Sequence, residues 1–137
     1  MGLDLFVRKQ KDFRTENGRQ CYTVETITNF ERCHNTLDAL ANYIGDYINN
    51  CTTVNAYGKY FVGILEDLKE LKEKYDNDLE NLKHNNPRLA ETDIKFTERL
   101  EAKSKDLAYE IKKLEDLIAE ENLTEDSEDI YEVHAWW

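Results

Sequence analysis

Cys21, Cys33 and Cys51, with His34 beside the second of them, are the residues best suited by type to hold a metal or attack an electrophile. Their spacing supports neither role. There is no CxxC pair, and the odd number argues against a disulfide framework as well as a zinc module. The expectation is buried or half-buried free thiols, with His34 an ordinary surface histidine. Carboxylates are abundant, but none is held with a histidine at a spacing that acid–base catalysis demands. Only five glycines are present, and they form no G-x-x-x-x-G-K-[ST] phosphate cradle. The chain therefore reads as a non-enzyme that carries no cofactor and no metal.

Two charged stretches remain. Arg8, Lys9, Lys11, Arg14 and Arg19 make the one basic region, interleaved with Asp4, Asp12 and Glu16. It reads either as a solvated loop or as a contact for phosphate or an acidic partner; with nearby aromatic rings it would suit a phosphate and a stacked base. At the other end, residues 120–132 hold seven acids and no Lys or Arg, with Glu125, Asp126, Glu128 and Asp129 at its centre. Such a run disfavours direct contact with nucleic acid and suits a partner protein with a basic surface. Trp136 and Trp137 close the chain. They either complete a strand or stand exposed as an anchor for a partner.

The elements that must position these groups follow from hydrophobic periodicity. Leu65, Leu68, Leu71, Tyr75, Leu79 and Leu82 recur at steps of three and four, as do Phe96, Leu100, Leu107, Ile111, Leu114 and Ile118. Asn85-Asn86-Pro87 separates the two runs, with Asn86 the expected cap of the second helix. In an antiparallel pair the numbers of facing residues add to a constant, and here they give 178 or 179 from Leu82 with Phe96 to Leu65 with Leu114. Opposite Tyr75 the second run has only Lys103 and Ser104. The ring and the Lys103 stem should fill that height together. Arms of about 30 to 40 Å would project from a smaller body.

That body is expected from the rest of the chain. Leu3, Leu5 and Val7 alternate as a short strand, Gln20–Thr26 as a second, with Asn17-Gly18 the turn signal in a long loop between them. Thr28-Asn29-Phe30-Glu31 has the form of a capping box, and the stripe from Phe30 to Ile48 predicts a core helix from Thr28 to Asn50. The segment 51–63 predicts a short irregular or strand piece. Tyr131, Val133, Ala135 and Trp137 alternate as a third strand that should join the N-terminal hairpin. The fold class expected is α+β: a small antiparallel sheet from both termini packed on a core helix, with a long antiparallel, coiled-coil-like helical hairpin. One domain of 137 residues divides into a body, residues 1–63 plus 123–137, and a hairpin, residues 64–121.

The net charge of −11 is uneven. Residues 1–63 balance, with seven acids and seven Lys or Arg, whereas residues 64–137 carry 22 acids against 11 bases. No window is apolar enough to span a membrane, and no signal peptide is recognised, so a cytoplasmic protein is expected.

Met1-Gly2-Leu3-Asp4-Leu5, Arg32-Cys33-His34-Asn35-Thr36-Leu37 and the aromatic, Trp-terminated end together resemble a group of small phage-encoded proteins of unknown function that begin Met-Gly-Leu-Asp. Those proteins carry the helix motif R-x-x-N-x-[IL]. The chain departs from them at Asn29-Phe30, where the family has an aromatic pair, and in its expanded hairpin. The resemblance implies a phage or prophage origin and the cytoplasm of a host cell, without catalytic residues to transfer. With the acidic half, it makes the expected function that of a phage-derived interaction protein that binds and inhibits or redirects a host protein, such as a nucleic-acid-handling or defence factor. The alternatives are a small-molecule nucleotide binder or sponge and a dimeric structural phage component.

Overall fold

Asn17 and Gly18 adopt positive φ, 50° and 75°, the two-residue turn whose twist matches that of paired strands. Around it the computed structural model, which describes residues 2–137 and residues 89 and 90 by backbone alone, forms one long hairpin: β1, Asp4–Glu16, and β2, Arg19–Glu31. Glu16 pairs with Arg19 directly across the turn. The expected long basic loop is thus strand. Its side chains lack an apolar alternation because residues 12–20 and 22–26 are exposed, so the turn and the cross-strand pairs hold it. β1 meets a third strand only from Asp4 to Lys9, leaving the distal part a two-stranded ribbon with register shifts after Val7 and after Lys11.

The capping-box pattern at Thr28 is also overturned. Thr28 pairs with Val7, Phe30 with Leu5 and Glu31 with Asp4 inside the sheet. Burial of Phe30 beside Leu5 outweighs what a local cap would supply. The helix starts only after Arg32 turns the chain at φ 57°: α1 runs His34–Ile44 and ends on the left-handed Gly45. Residues 45–50 then lead to β3, Thr52–Tyr57, which passes directly into α2, Gly58–Asn85.

The hairpin of helices is present. α2 and the later helix α4, Ile94–Glu121, each have 28 residues, about 42 Å apiece. They are joined by a short helix α3, Pro87–Thr92. Asn86 ends α2 instead of capping the next arm; the cap of α4 is Asp93, whose Oδ1 accepts from the Phe96 amide at 3.0 Å. The thin point of the seam is filled as the residues predict, with Lys103 Nζ 5.2 Å from the Tyr75 ring centre. Ser104 also donates to Asp76 there.

The last strand, β4, Ile130–Trp136, lies between β1 and β3 in an all-antiparallel sheet ordered β2-β1-β4-β3. Both ends of the chain therefore sit in adjacent strands. Leu5, Val7, Tyr131, Val133 and Ala135 face the helices and are buried. Above them pack Phe61, Ile64, Leu65 and Leu68 of α2, and Leu107, Ile111, Leu114 and Leu117 of α4. Phe61 meets Tyr131 edge-on at 5.6 Å. α1 adds Leu40 to the same core. Its Tyr43 approaches α2 so closely at Gly63 that a Cβ there would overlap the phenol ring.

Candidate functional site

The acidic segment owes its shape to the start of α2. α4 stops at Asn122, which turns left-handed at φ 53°, and Leu123 is then buried. Thr124 and Ser127 tie the loop into a turn: the Thr124 amide donates to Ser127 Oγ at 2.8 Å, and the Ser127 amide to the Thr124 carbonyl at 3.1 Å. Two carbonyls of the loop then satisfy the orphan amides of α2, Asp129 accepting from Gly58 at 2.9 Å and Ser127 from Lys59 at 3.1 Å. Gly58 is required for this crossing. A Cβ there would stand 2.8 Å from Leu123 Cδ2 and 3.1 Å from Ser127 Cβ.

The result is a hydrogen-bonded backbone from which Glu125, Asp126, Glu128 and Asp129 all project into solvent. The Asp126 amide donates to Thr124 Oγ1 at 3.3 Å, but among the described residues none of the four carboxylate groups makes an ion pair or a hydrogen bond. They crowd the positive end of the α2 dipole, which favours negative charge, and the first turn of α2 carries no acid of its own. Two other acids of the run are used internally. Glu121 accepts from the Tyr131 hydroxyl at 2.8 Å and pairs with Lys9 at 3.3 Å. Burial and then Glu121 raise the Tyr131 phenol above its ordinary range. Glu132 Oε1 receives the Tyr22 hydroxyl at 2.5 Å and Gln10 Nε2 at 3.0 Å.

Trp136 and Trp137 lie at the opposite end of β4, about 20 Å from the acidic loop by strand rise. Both are half exposed, at 48% and 40%. Trp136 stands across from Asp4 in the sheet, and the Trp137 amide donates to Asn50 Oδ1 at 2.8 Å. The tail is therefore anchored as a strand while its rings stay accessible, and it does not share a patch with the acids.

The basic residues do not converge. Lys9 reaches inward to Glu121, Lys11 pairs with Glu25 at 2.7 Å, and Arg14 with Glu16 at 2.7 Å. The Glu25 carboxylate raises the Lys11 pKa through their hydrogen bond, and Lys11 lowers that of Glu25. Arg8 faces Glu132 and Thr26 in the sheet, while Arg19 faces Glu16 beside the turn. Spread over a ribbon and mostly neutralised, these five side chains do not build a phosphate cradle.

Cys33 is buried, Cys21 partly buried and Cys51 exposed, all as free thiols; the exposed Cys51 departs from expectation and sits in the turn before β3 with φ 64°. Among the described residues no three His, Cys, Asp or Glu side chains gather as a metal would need. None of their helices is long and apolar enough to cross a membrane.

The residue that sequence reasoning missed is Glu110. It is 1% exposed and accepts from the Thr36 amide, the Thr36 hydroxyl and Asn35 Nδ2 at 2.8, 3.0 and 2.7 Å. Its position three after Leu107 and four before Leu114 places a carboxylate inside an apolar stripe, a signal the sequence does carry. Compared with known proteins, the chain matches no family model, no curated protein and no solved structure.

Proposed function

We propose that this is a phage-derived interaction protein that acts by binding, and that its ligand is a host protein with a basic surface. One observation carries the reading: four exposed carboxylates without partners among the described residues stand on a loop whose backbone is tied to the α2 terminus. A preorganised acidic surface loses little freedom on binding and draws a basic partner through long-range attraction. The resemblance of Met1-Gly2-Leu3-Asp4-Leu5 and of the aromatic end to phage proteins favours a partner in a bacterial host. The paired state of Lys9, Lys11 and Arg14 weighs against the nucleotide-binding alternative.

The test compares the native protein with a variant carrying Glu125→Gln, Asp126→Asn, Glu128→Gln and Asp129→Asn, both tagged and exposed to bacterial lysate. A basic protein held by the native chain at low salt, released at high salt and absent from the variant supports the reading. A partner retained equally by both, or no partner at all, refutes it.

A further inference from the structure

Beside the acidic loop, three tyrosines from three elements come together: Tyr43 of α1, Tyr57 at the end of β3 and Tyr60 of α2. Tyr43 and Tyr60 lie 5.4 Å apart with their planes tilted by 32°, and Tyr57 meets Tyr60 edge-on at 5.5 Å. Tyr43 and Tyr57 remain 39% and 43% exposed. Between Tyr43, Tyr60 and the Lys59, Glu66 and Glu125 side chains opens a hollow of about 330 Å³. Asp67 stands at the Tyr43 hydroxyl; burial and then this carboxylate keep the phenol protonated above its ordinary range.

Two features specify what fits. Aromatic faces attract cations, and carboxylates at the rim complete the attraction. The protein already shows the first half of this chemistry on itself, since Lys59 Nζ rests 5.5 Å from the Tyr57 ring centre. Lys59 lines the hollow as well, so its rim sets two carboxylates, Glu66 and Glu125, against one ammonium that is already engaged with the Tyr57 ring. A planar guanidinium suits such a slot better than an ammonium, because it stacks on a ring while its edge forks to a carboxylate.

We propose that the hollow bounded by Tyr43, Tyr60, Glu66 and Glu125 receives an arginine side chain of the basic partner. The inference rests on the binding reading above and names the residue type that anchors it. Tyrosine in a fixed position with exposed ring area is a favoured component of such anchor sites. Glu125 belongs to both the acidic loop and the hollow, which joins long-range attraction to short-range recognition.

The test uses a small probe and so does not depend on identifying the partner. Nα-acetyl-arginine N-methylamide is titrated into the full chain and followed by NMR, with the lysine and the uncharged citrulline analogues as comparisons. The arginine probe is expected to shift the Tyr43 and Tyr60 ring signals saturably at millimolar concentration, the lysine probe more weakly and citrulline hardly at all. The Glu66→Gln, Glu125→Gln double variant, altered only at exposed positions, should weaken the arginine probe by roughly fivefold or more. Tyr43→Leu, checked for an unchanged melting temperature, should do likewise. Shifts scattered over the whole acidic surface, equal shifts with citrulline, or no loss in the double variant overturn the proposal. Were a basic partner captured yet bound equally by Tyr43→Leu, the hollow would fail while the binding reading stood. Saturable arginine binding with no captured partner would reverse that outcome.

Discussion

Glu110 Oε1 lies 2.8 Å from the amide nitrogen of Thr36, so a carboxylate of α4 caps the first turn of α1 across the core. The helix's own N-cap, Cys33, offers no side-chain acceptor. A buried charge is expensive to keep unless donors surround it, and here two side chains, a backbone amide and the positive end of a helix do so. Removing the acceptor should strand the Thr36 amide and hydroxyl. Glu110→Ala is expected to lose about 2 to 3 kcal/mol of unfolding free energy by denaturant titration, and Glu110→Gln less. A loss within a few tenths for Glu110→Ala would show that water replaces the carboxylate without penalty.

Cys33 sits beside that carboxylate. Burial first, and the Glu110 charge second, push its thiol up to about 12 from the usual 9.0. A group raised in this way contributes its full stability below the unfolded value. As pH climbs from about 9 toward about 12, the unfolded chain releases the proton first and stability falls, at up to about 1.4 kcal/mol per pH unit. Cys33→Ala should flatten the alkaline side of the stability curve. In the native protein a thiol reagent should modify the exposed Cys51 quickly and leave Cys33 untouched until unfolding. Equal rates at the two cysteines would contradict the burial.

The Gly58 crossing makes a separate prediction. With Leu123 and Ser127 so close to its Cα, Gly58→Ala should displace the acidic loop and cost about 1 to 3 kcal/mol. Hydrogen exchange at the Gly58 and Lys59 amides, which donate to that loop, should rise in the variant. Unchanged exchange would mean that the loop is held by other contacts.

In the upper seam, Tyr75 and Lys103 stand in for an apolar pair. Tyr75→Ala is expected to destabilise the hairpin by about 2 kcal/mol and Lys103→Ala by no more than about 1 kcal/mol. If the two losses were equal, the ammonium and not the ring would be holding this level.

The helical arms were legible because their periodicity is long and their facing numbers keep one register from Leu65 and Leu114 to Leu82 and Phe96. The C-terminal strand was legible from the alternation of Tyr131, Val133 and Ala135. The ribbon was not, because Arg8 to Arg19 carry no apolar pattern where neither face is covered. Thr28 to Glu31 misled for a different reason: four residues match a helix cap locally, while Phe30 gains more by burial beside Leu5. For the site, the acids of the loop were visible as a charge run. The tyrosines were not, since Tyr43, Tyr57 and Tyr60 come from three elements that only the fold brings together.

If the acidic loop binds a basic partner through charge, neutralising it must weaken the complex. The most direct test is calorimetric titration of the captured partner into the native protein and into the variant neutralised at Glu125, Asp126, Glu128 and Asp129, each across a range of salt concentrations. Native affinity is expected to fall steeply with salt, and the variant to bind roughly tenfold or more weakly at low salt with a much shallower dependence. Identical affinities and identical salt dependence for the two proteins would contradict binding through charge.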